Sequence, residues 1–94
     1  MLKIERTGLF EQTLDEMAIL YEGIDILVEQ RIVLFRKNSN DSRLDNHPLR
    51  KSMEGRWAFW VNDDIRIVYK WLGKATVRLL VIGAHEVVYQ KKLS

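Results

Sequence analysis

The sequence predicts an α+β fold: one small domain over residues 1–94, with an N-terminal strand and a helical hairpin packed on an antiparallel sheet of about four strands. Three features of the sequence predict it. Apolar residues in the first half recur at helical spacing, whereas those in the second half alternate. The two regimes are joined by a polar stretch, Asn38 to Asn46, rich in Asn, Asp and Ser.

The elements follow in order. Leu2 and Ile4 alternate with Lys3 and Glu5, the two-residue period of a short strand, and Thr7 can then cap a helix. Phe10, Leu14, Met17, Ala18 and Tyr21 form the apolar stripe of that helix, and Gly23 is placed to end it. Ile24, Leu27, Val28, Ile32 and Phe35 form a second stripe, with Arg36 and Lys37 at the negative end of the helix dipole. The link between the helices is short, so they are antiparallel neighbours.

Beyond the polar stretch, Pro48 holds His47 in extended backbone. Trp57, Phe59 and Val61 then share one face of a strand, with Arg56, Ala58 and Trp60 on the other. Asn62-Asp63-Asp64 reads as a turn. In the next strand Ile65, Ile67, Tyr69 and Trp71 alternate with Arg66, Val68 and Lys70, and Gly73 turns the chain again. Val77, Leu79 and Val81 alternate with Arg78, Leu80 and Ile82 in a last strand, apolar on both faces and so expected to be central.

Composition excludes several classes of function. There is no cysteine, hence no disulfide framework and no thiolate metal site. The two histidines, far apart in sequence, do not make a zinc site, and no metal or other cofactor is expected. No apolar run is long enough to span a membrane, and the N-terminal residues do not resemble a secretion signal, so a cytoplasmic location is expected. Glycine-rich phosphate loops and serine nucleophile motifs are absent.

The net charge of +2 conceals an asymmetry. Residues 1–42 carry five Lys/Arg against eight Asp/Glu, and residues 43–94 carry ten against five. A basic half on an acidic scaffold suits a partner that is an anion, with nucleic acid the leading candidate. The same half holds both histidines and all three tryptophans. Imidazoles exchange protons near neutral pH, arginines hold phosphates, and exposed aromatics stack on unpaired bases. These are the groups that phosphodiester chemistry needs. On a small sheet, His47 and His85 are expected to come near each other with Arg66 between them.

The set resembles a known family. His47-Pro48-Leu49, Gly55 after it, a strand, Asp64-x-Arg66-x-x-Tyr69 and Gly83-x-His85-x-x-x-Tyr89 are similar to the motifs of the RelE/ParE superfamily of bacterial toxins, within it the YafQ-like branch. The resemblance implies a ribosome-dependent endoribonuclease, the toxin of a type II toxin–antitoxin pair. Such toxins cleave mRNA without a metal by attack of the ribose 2′-OH on phosphorus. The implied partners are a cognate antitoxin, the ribosome and mRNA.

Carried over residue by residue, the resemblance assigns His47 and His85 to proton transfer, Arg66 to the charge of the transition state, Asp64 to the acid at the hairpin turn, and Tyr89 to orienting the nucleotide. Trp60 stands where the branch has a further histidine, and Val81 where it has an arginine. Arg50, Lys51 and Arg56 are the candidates to supply charge toward RNA, with Trp60 as a surface for a base. Two other readings remain: a non-enzymatic ParE-like toxin that binds DNA gyrase, and an RNA-binding module that does not cleave.

Overall fold

The computed structural model describes residues 1–50 and 55–85. Lys51 and Tyr89 lie outside the described residues. Strand β1 (Lys3–Arg6) leads into helices α1 (Gly8–Leu20) and α2 (Ile24–Lys37). A short 3-10 turn (Ser42–Leu44) precedes β2 (His47–Pro48), β3 (Trp57–Trp60), β4 (Ile65–Trp71) and β5 (Thr76–Ala84). The strands form one five-stranded sheet in the order β1-β5-β4-β3-β2. The α+β reading therefore stands, with one strand more than expected. Four of the strands run antiparallel in sequence, but β1 pairs parallel to β5, against the expectation of a wholly antiparallel sheet. The reason is topological: the helical hairpin carries the chain over one face, and the fixed crossover leaves β1 beside the last strand.

Both helices pack on a single face. Phe10, Leu14 and Met17 of α1 and Ile24, Val28, Ile32 and Phe35 of α2 are buried against Phe59, Val61, Ile65, Ile67, Tyr69, Val77, Leu79 and Ile82. Thr7 caps α1 as expected, its hydroxyl accepting from the Phe10 amide at 3.1 Å. Two details of the hairpin differ from expectation. Tyr21 is exposed because α1 already ends at Leu20. Gly23, at φ 80°, starts α2 rather than closing α1. The left-handed conformation lets the chain reverse between two helices in so few residues.

A bulge in β5 separates the observed faces from the predicted ones. Val68 pairs with Val81, but Tyr69 pairs with Leu79, so Leu80 is an extra residue. Val77 and Leu79 face the helices as expected. Past the bulge the phase reverses: Ile82 joins the main core, while Val81 joins Ala58, Val68 and Leu80 on the other face, under Leu49. The backbone groups the bulge displaces are met by α1 and its cap. The Thr7 hydroxyl donates to the carbonyls of Leu79 and Leu80, at 2.9 and 3.2 Å. The buried Thr13 hydroxyl accepts from the Ile82 amide at 3.1 Å.

Candidate functional site

The predicted site residues that are described fall on the face of the sheet away from the helices and on the turns at its ends. At one end β3 and β4 meet in a turn that Asn62 builds. Its side-chain oxygen accepts from the amides of Asp64 and Ile65, at 2.9 and 2.8 Å. The sequence marked this stretch as a turn, but not Asn62 as its organiser. Trp60 and Arg66 are directly paired across the two strands. The Arg66 guanidinium lies over the Trp60 ring, 4.2 Å from its centroid.

Arg66 is buried, with only 6% of its surface exposed. Its guanidinium donates to the carbonyls of Asn62 at 2.7 Å, Asp63 at 2.9 Å and Ile65 at 3.3 Å. The forked guanidinium thus gathers the carbonyls of the turn around one cation. His85 stands just past the end of β5 and is exposed. Its amide donates to the Asp64 carbonyl at 2.9 Å. The pairing of Arg66 with Gly83 and of Ile65 with Ala84 brings this histidine beside the turn. The backbone pairing therefore brings Asp64, Arg66 and His85 to one end of the sheet.

His47 sits elsewhere on the sheet. It pairs with Ala58 on β2, the far edge strand. Three strand spacings, about 14 Å, separate β2 from β5. The expectation that His47 and His85 come together is corrected by this strand order: the sheet sets its edge strand and its second strand apart, and Arg66 stands with His85 alone. The His47 ring is half-buried and its Nδ1 lies 2.6 Å from the Asp45 carbonyl. A carbonyl only accepts, so Nδ1 carries the proton and Nε2 is the atom left to face a ligand. Asp45 presents that carbonyl from a left-handed backbone, φ 44°. Nearby, the buried Tyr69 hydroxyl donates to Asn46 Oδ1 at 2.5 Å, tying the segment before His47 to the aromatic core of Phe35 and Phe59.

Of the residues expected to supply charge, Arg50 is exposed and Arg56 is half-buried just before β3. The Arg56 carbonyl accepts from the Leu49 amide at 2.7 Å, which holds the two segments together. Val81 is fully buried in the smaller apolar cluster, so the position where the YafQ-like branch has an arginine is here a packing site. Among the described residues no group of three His, Cys, Asp or Glu side chains is arranged to hold a metal ion, and no helix is long and apolar enough to cross a membrane.

No family model matches the sequence, and no curated protein sequence does. Solved structures do match. YafQ from E. coli superposes with a TM-score of 0.77 at 21% identity, over 95% of this chain and 99% of that one. A copper-bound mutant toxin from Helicobacter pylori gives 0.75 at 20% identity, over 94% and 99%. A YoeB/ParE toxin from Agrobacterium tumefaciens gives 0.71 at 16% identity, over 89% and 99%. YafQ also matches in its complex with DinJ, described as a toxin–antitoxin complex, with a TM-score of 0.74 at 21% identity over 94% of this chain and 97% of that one. These neighbours are members of the RelE/ParE-like toxin superfamily, and the fold of this chain is theirs.

Proposed function

We propose that this protein is the toxin of a toxin–antitoxin pair and cleaves mRNA on the ribosome, leaving a 2′,3′-cyclic phosphate and a 5′-hydroxyl. The observation that carries the reading is the convergence of His85 and Asp64 at the Trp60–Arg66 end of a YafQ-like sheet. An exposed imidazole there can take the 2′-OH proton or return one to the leaving 5′ oxygen. Arg50 and Arg56 follow the RNA backbone along the same face, and His47 addresses the strand from the β2 edge. Lys51 and Tyr89 complete the proposed site from outside the described residues. The partner in the resting state is a cognate antitoxin, as DinJ is for YafQ.

Cleavage of mRNA on programmed ribosomes tests the reading. Wild-type protein is expected to cut, and His85→Ala to lose about two to four orders of magnitude in rate, the range of a lost proton-transfer group. The buried Val81 and the Trp60 in place of a histidine favour one competing reading, a toxin of the same fold directed at DNA gyrase. Intact mRNA in this assay, together with DNA damage in cells that still translate, would establish that one instead.

A further inference from the structure

We propose that Arg66 is a positioning residue for His85 and does not itself meet the phosphate; this rests on the ribonuclease reading. Three of the five guanidinium N–H groups are held by carbonyls of the turn, those of Asn62, Asp63 and Ile65. One planar face is stacked on Trp60, and the residue is almost wholly buried. A cation that is to receive a developing phosphate charge has to point donors at it. Here three of the five donors point into the backbone of the hairpin.

The chain of contacts leads from there to the histidine. Arg66 fixes the carbonyls of Asn62 and Asp63, Asn62 in turn fixes the amide of Asp64, and the Asp64 carbonyl holds the amide of His85. Two side chains, Arg66 and Asn62, and the backbone of one turn therefore set where the imidazole begins. The fork is essential to this: a lysine ammonium is a single point on a flexible stem and does not span carbonyls of successive residues in one plane. Misplacing a reacting group by about an ångström lowers a rate by about a hundredfold.

The test combines kinetics with amide spectroscopy on the whole protein. In Arg66→Lys, kcat on programmed ribosomes is expected to fall by about a hundredfold with KM within about twofold of wild type. The His85 amide signal is expected to shift and its hydrogen exchange to quicken by about tenfold, while amides of Ile67 and Leu79 keep theirs. A general loss of structure would move all three, and so would overturn the assignment. Loss of kcat with the His85 amide unmoved would also overturn it, and place the guanidinium on the phosphate. Asn62→Ala cuts the same chain from the other side and is expected to release the His85 amide without touching the cation. If the wild type cleaves nothing, the ribonuclease reading falls, and the amide measurement alone decides whether Arg66 holds His85.

Discussion

The hydroxyl of Thr13 accepts the amide proton of Ile82 at 3.1 Å and so joins the middle of α1 to the bulged segment of β5. The same hydroxyl gives its own proton back to α1, to the carbonyls of Leu9 and Phe10 at 2.8 and 3.1 Å. A bulge leaves strand amides without a ladder partner, and in a buried strand each one costs stability unless something meets it. Thr13 and Arg66 are the buried polar residues among those described, and for Thr13 this bond is what the burial serves.

Thr13→Val, close to it in shape, leaves the Ile82 amide buried and unmet. The expected loss is about 1–3 kcal/mol. Thr13→Ser keeps the hydroxyl and is expected to keep most of the stability. Urea denaturation of the three proteins checks this: equal midpoints for Val and wild type would show that the bond contributes nothing.

The same strand shows where sequence reading succeeds and where it stops. Ala58 stands between Trp57 and Phe59, and Arg66 between Ile65 and Ile67, so the faces of those strands were legible from alternation. Leu79, Leu80, Val81 and Ile82 are all apolar, and an extra residue among them leaves no mark on the pattern. Parallel pairing of β1 with β5 joins residues more than seventy positions apart, which no local signal records. For the candidate site, the motifs named Asp64, Arg66 and His85, and the fold brings those three together. They did not tell that Arg66 donates to carbonyls, because that bond exists only once the turn has closed. Nor did they separate His47 from His85, since the strand order that parts them is a property of the whole sheet.

Tyr69 offers a second measurable link. Burial pushes its hydroxyl above the usual tyrosine range, so it stays protonated and donates to Asn46 Oδ1. Tyr69→Phe retains the ring contacts with Phe35 and Trp71 and removes the hydroxyl's bonds to Asn46 and to the Trp71 side chain. The expected cost is about 1 kcal/mol, with a change confined to the Asn46–His47 segment. Chemical denaturation gives the first quantity and amide shifts give the second. An unshifted His47 amide would mean that the core does not set the position of that histidine.

Acid stability carries a signature of Asp41. Its carboxylate accepts from the amide and guanidinium of Arg43, at 2.9 Å each, and these bonds hold its pKa near about 2, below the usual aspartate value. A folded-state pKa below the unfolded one gives stability that is complete above the unfolded value and is lost as pH falls toward about 2. Asp41→Asn keeps an acceptor without the charge. It is expected to reduce the dependence of unfolding midpoint on pH between about 4 and about 2, and to leave the dependence above that window unchanged. A variant with the wild-type acid limb would remove Asp41 from the account.

The distance between the histidines makes a prediction about how their losses combine. A general acid and base acting on one phosphate work as a unit, and removing either one then costs nearly as much as removing both. Groups separated by more than about 10 Å, with no shared partner, contribute independently. His47 lies three strands from His85, its ring bonded to Asp45, whereas His85 hangs from Asp64. The losses in kcat/KM for His47→Ala and His85→Ala are therefore expected to multiply in the double variant. The single losses should also differ in kind: His85→Ala lowers kcat, and His47→Ala mainly raises KM, because it meets RNA away from the scissile bond. Rates on programmed ribosomes for the two single variants and the double one decide it. A double variant no slower than His85→Ala would mean that bound RNA draws both imidazoles onto one phosphate.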